Sequence, residues 1–149
     1  MKINKKDALI TIKSVHIVDE DKDVSEIVTV GKFYKHNGEY VISYEESEAT
    51  GFDGTLTTVS VQGAEKVEMN RRGSTNSQLI VQKGARHQCQ YDTGFGNVTI
   101  GVLGDTIENS LTDDGGELAF RYSIDINTSL TSINIIYISV KLQNTEKSA

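Results

Sequence analysis

From Leu9 to Leu142 the chain alternates apolar and polar residues in short segments, broken about every eight to twelve residues by turn-forming sequence. The segment 117–126 shows the pattern best. Leu118, Phe120, Tyr122, Ile124 and Ile126 share one face, and Glu117, Ala119, Arg121, Ser123 and Asp125 share the other, because successive strand side chains point to opposite sides. Ile136, Ile138, Val140 and Leu142 repeat this in 132–142, whereas helical i, i+3, i+4 spacing finds no window of useful length. The pattern predicts an antiparallel all-β protein.

A first strand closes at 13–15, and the acidic run Asp19, Glu20, Asp21, Lys22, Asp23 reads as a solvated turn before a strand at 26–35. Asn37-Gly38 is a strong hairpin signal, since both residues tolerate the positive φ of a type I′ turn. With those two as the loop, Phe33 falls opposite Ile42 and Lys35 opposite Tyr40. Further strands are expected at 40–46, 55–61, 66–72, 78–83, 86–92, 97–103, 106–111, 117–126 and 132–142. Glycine-bearing turns separate most of them, including Gly104-Asp105 and 113–116.

About eight to ten short amphipathic strands can close into a barrel or stack as a sandwich. Hairpin-length connections favour a single closed up-and-down barrel. Closure also removes exposed edges, which matters in a chain with no proline to protect them. The expected organisation is one barrel domain over 1–142 and a flexible tail over 143–149, where no apolar residue offers an anchor.

The chain has 149 residues and a net charge of −6, which suits one core and argues against nucleic acid as a partner, because polyanion affinity needs clustered Lys and Arg. Lys5-Lys6 and Arg71-Arg72 are too small to reverse that balance. No segment approaches the roughly twenty apolar residues of a membrane helix, and the N-terminus carries charges throughout rather than a secretory core. A single cysteine, Cys89, fits a reducing compartment. A cytoplasmic protein with no membrane association is expected, and the oligomeric state leaves no mark on the sequence.

Few residues carry candidate chemistry. Asp19, Asp21 and Asp23 have the opening spacing of a calcium loop, but Val24 and Val30 stand where its glycine and bidentate glutamate belong. His87 and Cys89 share a strand face with Tyr91; two ligands do not make a metal site, so this row reads as a packed thiol, a half-exposed imidazole and a candidate cavity wall. Gly94-Phe95-Gly96 lacks a following helix, and neither a phosphate-cradling Gly-Lys-Ser/Thr nor a Gly-x-Ser-x-Gly elbow is present. Glu45-Glu46-Ser47-Glu48 reads as the solvated end of a hairpin. Alternation sets Arg71 on the apolar face of Val67 and Met69, where it must either snorkel to solvent or look into a barrel interior as a donor fork for a carboxylate or phosphate.

Taken in order, Tyr44-Glu45, Arg71-x-Gly73, the segment 78–84, Tyr91-x-Thr93-Gly94-Phe95-Gly96 and Gly116 leading to Phe120 and Tyr122 span nearly the whole chain. In that order the chain resembles the YwiB-like family of uncharacterised bacterial proteins. The resemblance implies a calycin-like, lipocalin-like closed barrel and brings no activity with it. Gly94 stands for the family's proline and Phe95 for its tyrosine, which loosens that loop and removes a hydroxyl.

Three roles follow in order of weight. First is a binding module holding a small amphipathic or anionic molecule, with Arg71, Tyr91, Thr93 and His87 as ligand-binding residues. Second is a protein-interaction domain. Third is a cavity enzyme, which would need Tyr91, His87 and Arg71 to converge on one point. No catalytic residue, metal or cofactor is assigned.

Overall fold

A computed structural model describes residues 4–47, 53–74, 76–92 and 96–143. Ten antiparallel strands follow one another: β1 (Lys6–Val18), β2 (Asp21–His36), β3 (Glu39–Glu45), β4 (Thr55–Gln62), β5 (Lys66–Gly73), β6 (Ser77–Gln82), β7 (Arg86–Asp92), β8 (Asn97–Asn109), β9 (Gly115–Ile126) and β10 (Ser129–Leu142). Each pairs with its neighbour in sequence except β6 with β7, and β1 pairs with β10, giving the order β6-β5-β4-β3-β2-β1-β10-β9-β8-β7. The result is a nearly closed up-and-down barrel, all-β as the alternation predicts, with no helix among the described residues.

The β2–β3 hairpin has the expected register, with Phe33 opposite Ile42 and Lys35 opposite Tyr40. Asn37 and Gly38 take φ of 53° and 81°, as a type I′ turn requires. Two turns differ from expectation. The acidic turn shrinks to Asp19 and Glu20, because Asp21 pairs with Val18 and Asp23 with His16, which lengthens both β1 and β2. Gly104-Asp105 is no turn; it is a bulge inside the continuous strand β8. A Cβ on Gly104 would lie 2.3 Å from the Gln82 carbonyl oxygen, so this glycine permits a close backbone approach and does not reverse the chain. Gln143, the first residue of the expected tail, donates its N–H to the Asp7 carbonyl at 3.1 Å, and 144–149 lie outside the described residues.

Closure is incomplete at one place. β6 and β7 sit at the two ends of the strand order with no ladder between them. Side chains bridge the seam: the Ile80 N–H donates to Cys89 Sγ at 3.4 Å, the Asp92 N–H to Ser77 Oγ at 3.2 Å, and the Asn76 N–H to Asp92 Oδ2 at 3.2 Å.

Inward-facing residues divide the barrel into two halves. One end is solid, filled by Ile10, Phe33, Ile42, Val67, Leu118 and Phe120, all essentially inaccessible. Two residues further along the same strand faces, the side chains change partners. Ile12, Tyr44, Met69 and Tyr122 follow Ile10, Ile42, Val67 and Phe120, and they border a hollow.

Candidate functional site

The hollow has a volume of about 730 Å³. That is within the range of small-molecule sites, which are mostly apolar with a few placed polar groups. Ile12, Ile27, Leu79, Ile100, Ile124 and Ile136 supply the apolar walls. They come from six strands, each through the same every-second-residue alternation.

Polar groups form two clusters. The first lies where β3, β4 and β5 run side by side. Arg71 Nε stands 3.6 Å from Glu46 Oε2, and the Thr57 hydroxyl donates to that same oxygen. Tyr44 packs beside them, its phenol pushed well above the ordinary value by burial and by the Glu46 carboxylate, with Arg71 pulling the other way. Tyr122, opposite, is pushed up to about 12 by burial, against a lowering influence of Arg71 and with a raising one from Tyr91. Both phenols are therefore neutral hydrogen-bonding groups at neutral pH. In the second cluster, on β1 and β10, His16 Nδ1 lies 2.7 Å from Asn134 Oδ1, and Asn134 Nδ2 donates to Ser132 Oγ at 3.0 Å. An amide oxygen only accepts, so this contact sets the proton on Nδ1.

Of the residues singled out from sequence, Arg71 and Tyr91 both line the hollow. His87 shares Tyr91's inward face but lies at the solid end, opposite the fully buried Val102, with Nε2 2.7 Å from Gln82 Oε1. Thr93 lies outside the described residues, as do Gly94 and Phe95. Tyr91, His87 and Arg71 thus do not meet at one point, and the convergence an enzyme would need is not formed by them. Cys89 is a packed thiol, its pKa raised by burial. Among the described residues no three His, Cys, Asp or Glu side chains gather to hold a metal ion.

One expectation is overturned. Glu46 is not the solvated end of a hairpin: its side chain is only 2% exposed. Its N–H donates to the Thr55 carbonyl at 2.8 Å, which continues the strand pairing one residue past β3 and turns the side chain inward. The signal was in the alternation, since Ile42, Tyr44 and Glu46 share parity and an inward arginine elsewhere calls for an inward acid.

This geometry defines a nearly closed β-barrel with an internal cavity open to the residues named above. The chain belongs to the family described as a domain of unknown function, DUF1934, whose model matches residues 10–138. Its fold is similar to that in the crystal structure of the ywiB protein from Bacillus subtilis, with a TM-score of 0.81, 20% sequence identity and 95% of each chain covered. At that identity the likeness establishes the fold. No curated protein matches the chain. No helix among the described residues is long and apolar enough to cross a membrane.

Proposed function

We propose that this barrel is a cytoplasmic binding protein for a small amphipathic molecule. The apolar body lies against Ile12, Ile27, Ile124 and Ile136, and a polar group reaches Arg71 and the Tyr91 and Tyr122 hydroxyls. The observation that carries this reading is a hollow of about 730 Å³ whose apolar walls surround one buried, self-neutralised Glu46–Arg71 pair. Glu46 balances the guanidinium, so the interior favours a hydrogen-bonding group without net charge over a bare anion, which would compete with a carboxylate already in place. Native mass spectrometry of gently purified protein, with a thermal-shift screen of amphiphiles, tests it. The expected result is a bound or stabilising molecule whose effect weakens in Arg71→Ala; a ligand-free protein that no amphiphile stabilises ends the reading.

A second reading, a protein-interaction domain, draws on the exposed apolar side chains Val24, Val28 and Val30 of β2 and Tyr137 of β10. Concentration-dependent sedimentation, repeated with Val28→Lys, measures it.

A further inference from the structure

Two hollows meet at Arg71 and Ser77. One is the internal cavity; the other, of about 670 Å³, lies on the outer surface, and both are bordered by these two residues. The outer one is framed by Asn70 and Arg72 of β5, Gln78 of β6 and Gln90 of β7. Strand alternation explains the division: 70, 72, 78 and 90 point out where 71, 77 and 91 point in. The hollows adjoin here because the barrel wall is incomplete here. Between β6 and β7 the backbone ladder is missing, and the Asp92 N–H to Ser77 Oγ bond stands in its place.

We propose that this seam is a side portal, and that the cavity's ligand is an amphiphile with a phosphate or carboxylate head that emerges through it onto Arg72, flanked by the carboxamides of Asn70 and Gln78. The inference rests on the binding reading above and adds the ligand's charge and direction. Inside, the one guanidinium is balanced by Glu46. Outside, the Arg72 side chain makes no hydrogen bond or ion pair with the described residues, so its planar donor fork is available to an anion. The groove's own acid, Glu68, pairs with Lys66 at 3.5 Å and stands four residues from Arg72 along the strand, about 13 Å away by strand geometry. Asn70 and Gln78 sit opposite each other in the β5–β6 ladder, so their amides flank the same spot on the outer face. An apolar tail thus has an apolar-walled interior, and its charged head has water, a cation and two amides without crossing the solid end.

The experiment titrates the protein with dodecyl phosphate and with dodecanol, each below its micelle concentration, by calorimetry and by NMR of side-chain amides. The expected result is dodecyl phosphate binding about tenfold more tightly than dodecanol, as one charge-assisted contact supplies. Arg72→Ala, an exposed substitution that leaves the core intact, removes that advantage and leaves dodecanol unchanged. The Asn70 and Gln78 amide signals shift with the phosphate and not with the alcohol. Equal affinities, indifference to Arg72→Ala, or head-dependent shifts confined to the Asn134 amide overturn the portal while the cavity reading stands. Failure of both amphiphiles to bind overturns the cavity reading, and the portal with it.

Discussion

Arg71 and Glu46, far apart in sequence, form an ion pair inside the barrel: the guanidinium Nε stands 3.6 Å from Oε2 of a carboxylate that is almost wholly excluded from solvent. Neither group would be tolerated there alone, because an unpaired buried charge costs several kcal/mol. Arg71 keeps 21% of its side chain exposed, which moderates the effect. Arg71→Met is therefore expected to destabilise the fold by about 2 kcal/mol, chiefly by stranding Glu46. Adding Glu46→Gln, which keeps an acceptor for the Thr57 hydroxyl, is expected to recover more than half of that loss. Urea unfolding of the two singles and the double measures the coupling, and simple additivity would show that the pair does not act as a unit.

Gly31 lies on β2, between β1 and β3 in the sheet and opposite Ala8 of β1. A Cβ there would fall 2.2 Å from the Ser43 carbonyl oxygen and 2.7 Å from Ile10 Cδ1. The first neighbour is backbone and cannot rotate away, so Gly31→Ala should cost about 2–3 kcal/mol through forced strand displacement. Gly38→Ala in the hairpin tip meets nothing within 4 Å and pays only for its φ of +81°. A denaturation midpoint that moves less for Gly31→Ala than for Gly38→Ala would contradict this account.

Alternation along the chain was enough to read the all-β class, the inward faces and the placing of Arg71 on the apolar face of its strand, because a half-buried strand writes its two environments into every second residue. It split β8 into two strands at Gly104-Asp105. Asn37-Gly38 fixed one register for the same local reason. What escaped was non-local. Gly104 looks like a turn residue until Gln82, from another strand, is seen pressed against it. Glu46 looks like a solvated acid until Thr57 and Arg71 are brought beside it. His87 shares a face with Tyr91, and parity does not tell that one end of the barrel is filled and the other hollow. That depends on how large side chains such as Phe33 and Phe120 are distributed along the barrel's length.

Tyr122 gives the protein a definite alkaline limit. Burial holds its phenol at about 12 in the fold, above the ordinary 10.0 that applies in the unfolded chain. Below pH 10 both states hold the proton and the stability is fully present. Between about 10 and 12 the unfolded chain releases its proton and the folded one does not, so stability falls as pH rises. Tyr122→Phe is expected to flatten that decline relative to the parent protein. Unfolding free energies at pH 9, 10 and 11 measure it, and parallel curves for the two proteins would refute the assignment.

Cys89 reports on the seam. Its sulfur accepts the Ile80 N–H across the gap between β6 and β7, and burial raises its pKa, so little thiolate is present and little of it is accessible in the closed barrel. Reaction with a thiol reagent must then await an opening of the seam or of the whole fold. Ser77→Ala deletes the neighbouring acceptor of the Asp92 N–H without touching Cys89. If the seam opens locally, losing one hydrogen bond of about 1 kcal/mol should raise the labelling rate about fivefold. If Cys89 is reached only by global unfolding, the rate instead follows the drop in overall stability measured in urea, and it falls to the parent value when stability is restored by a compensating change at the solid end. Rates that rise in Ser77→Ala and stay raised under that restoration identify the β6–β7 seam as the weakest line in the barrel wall.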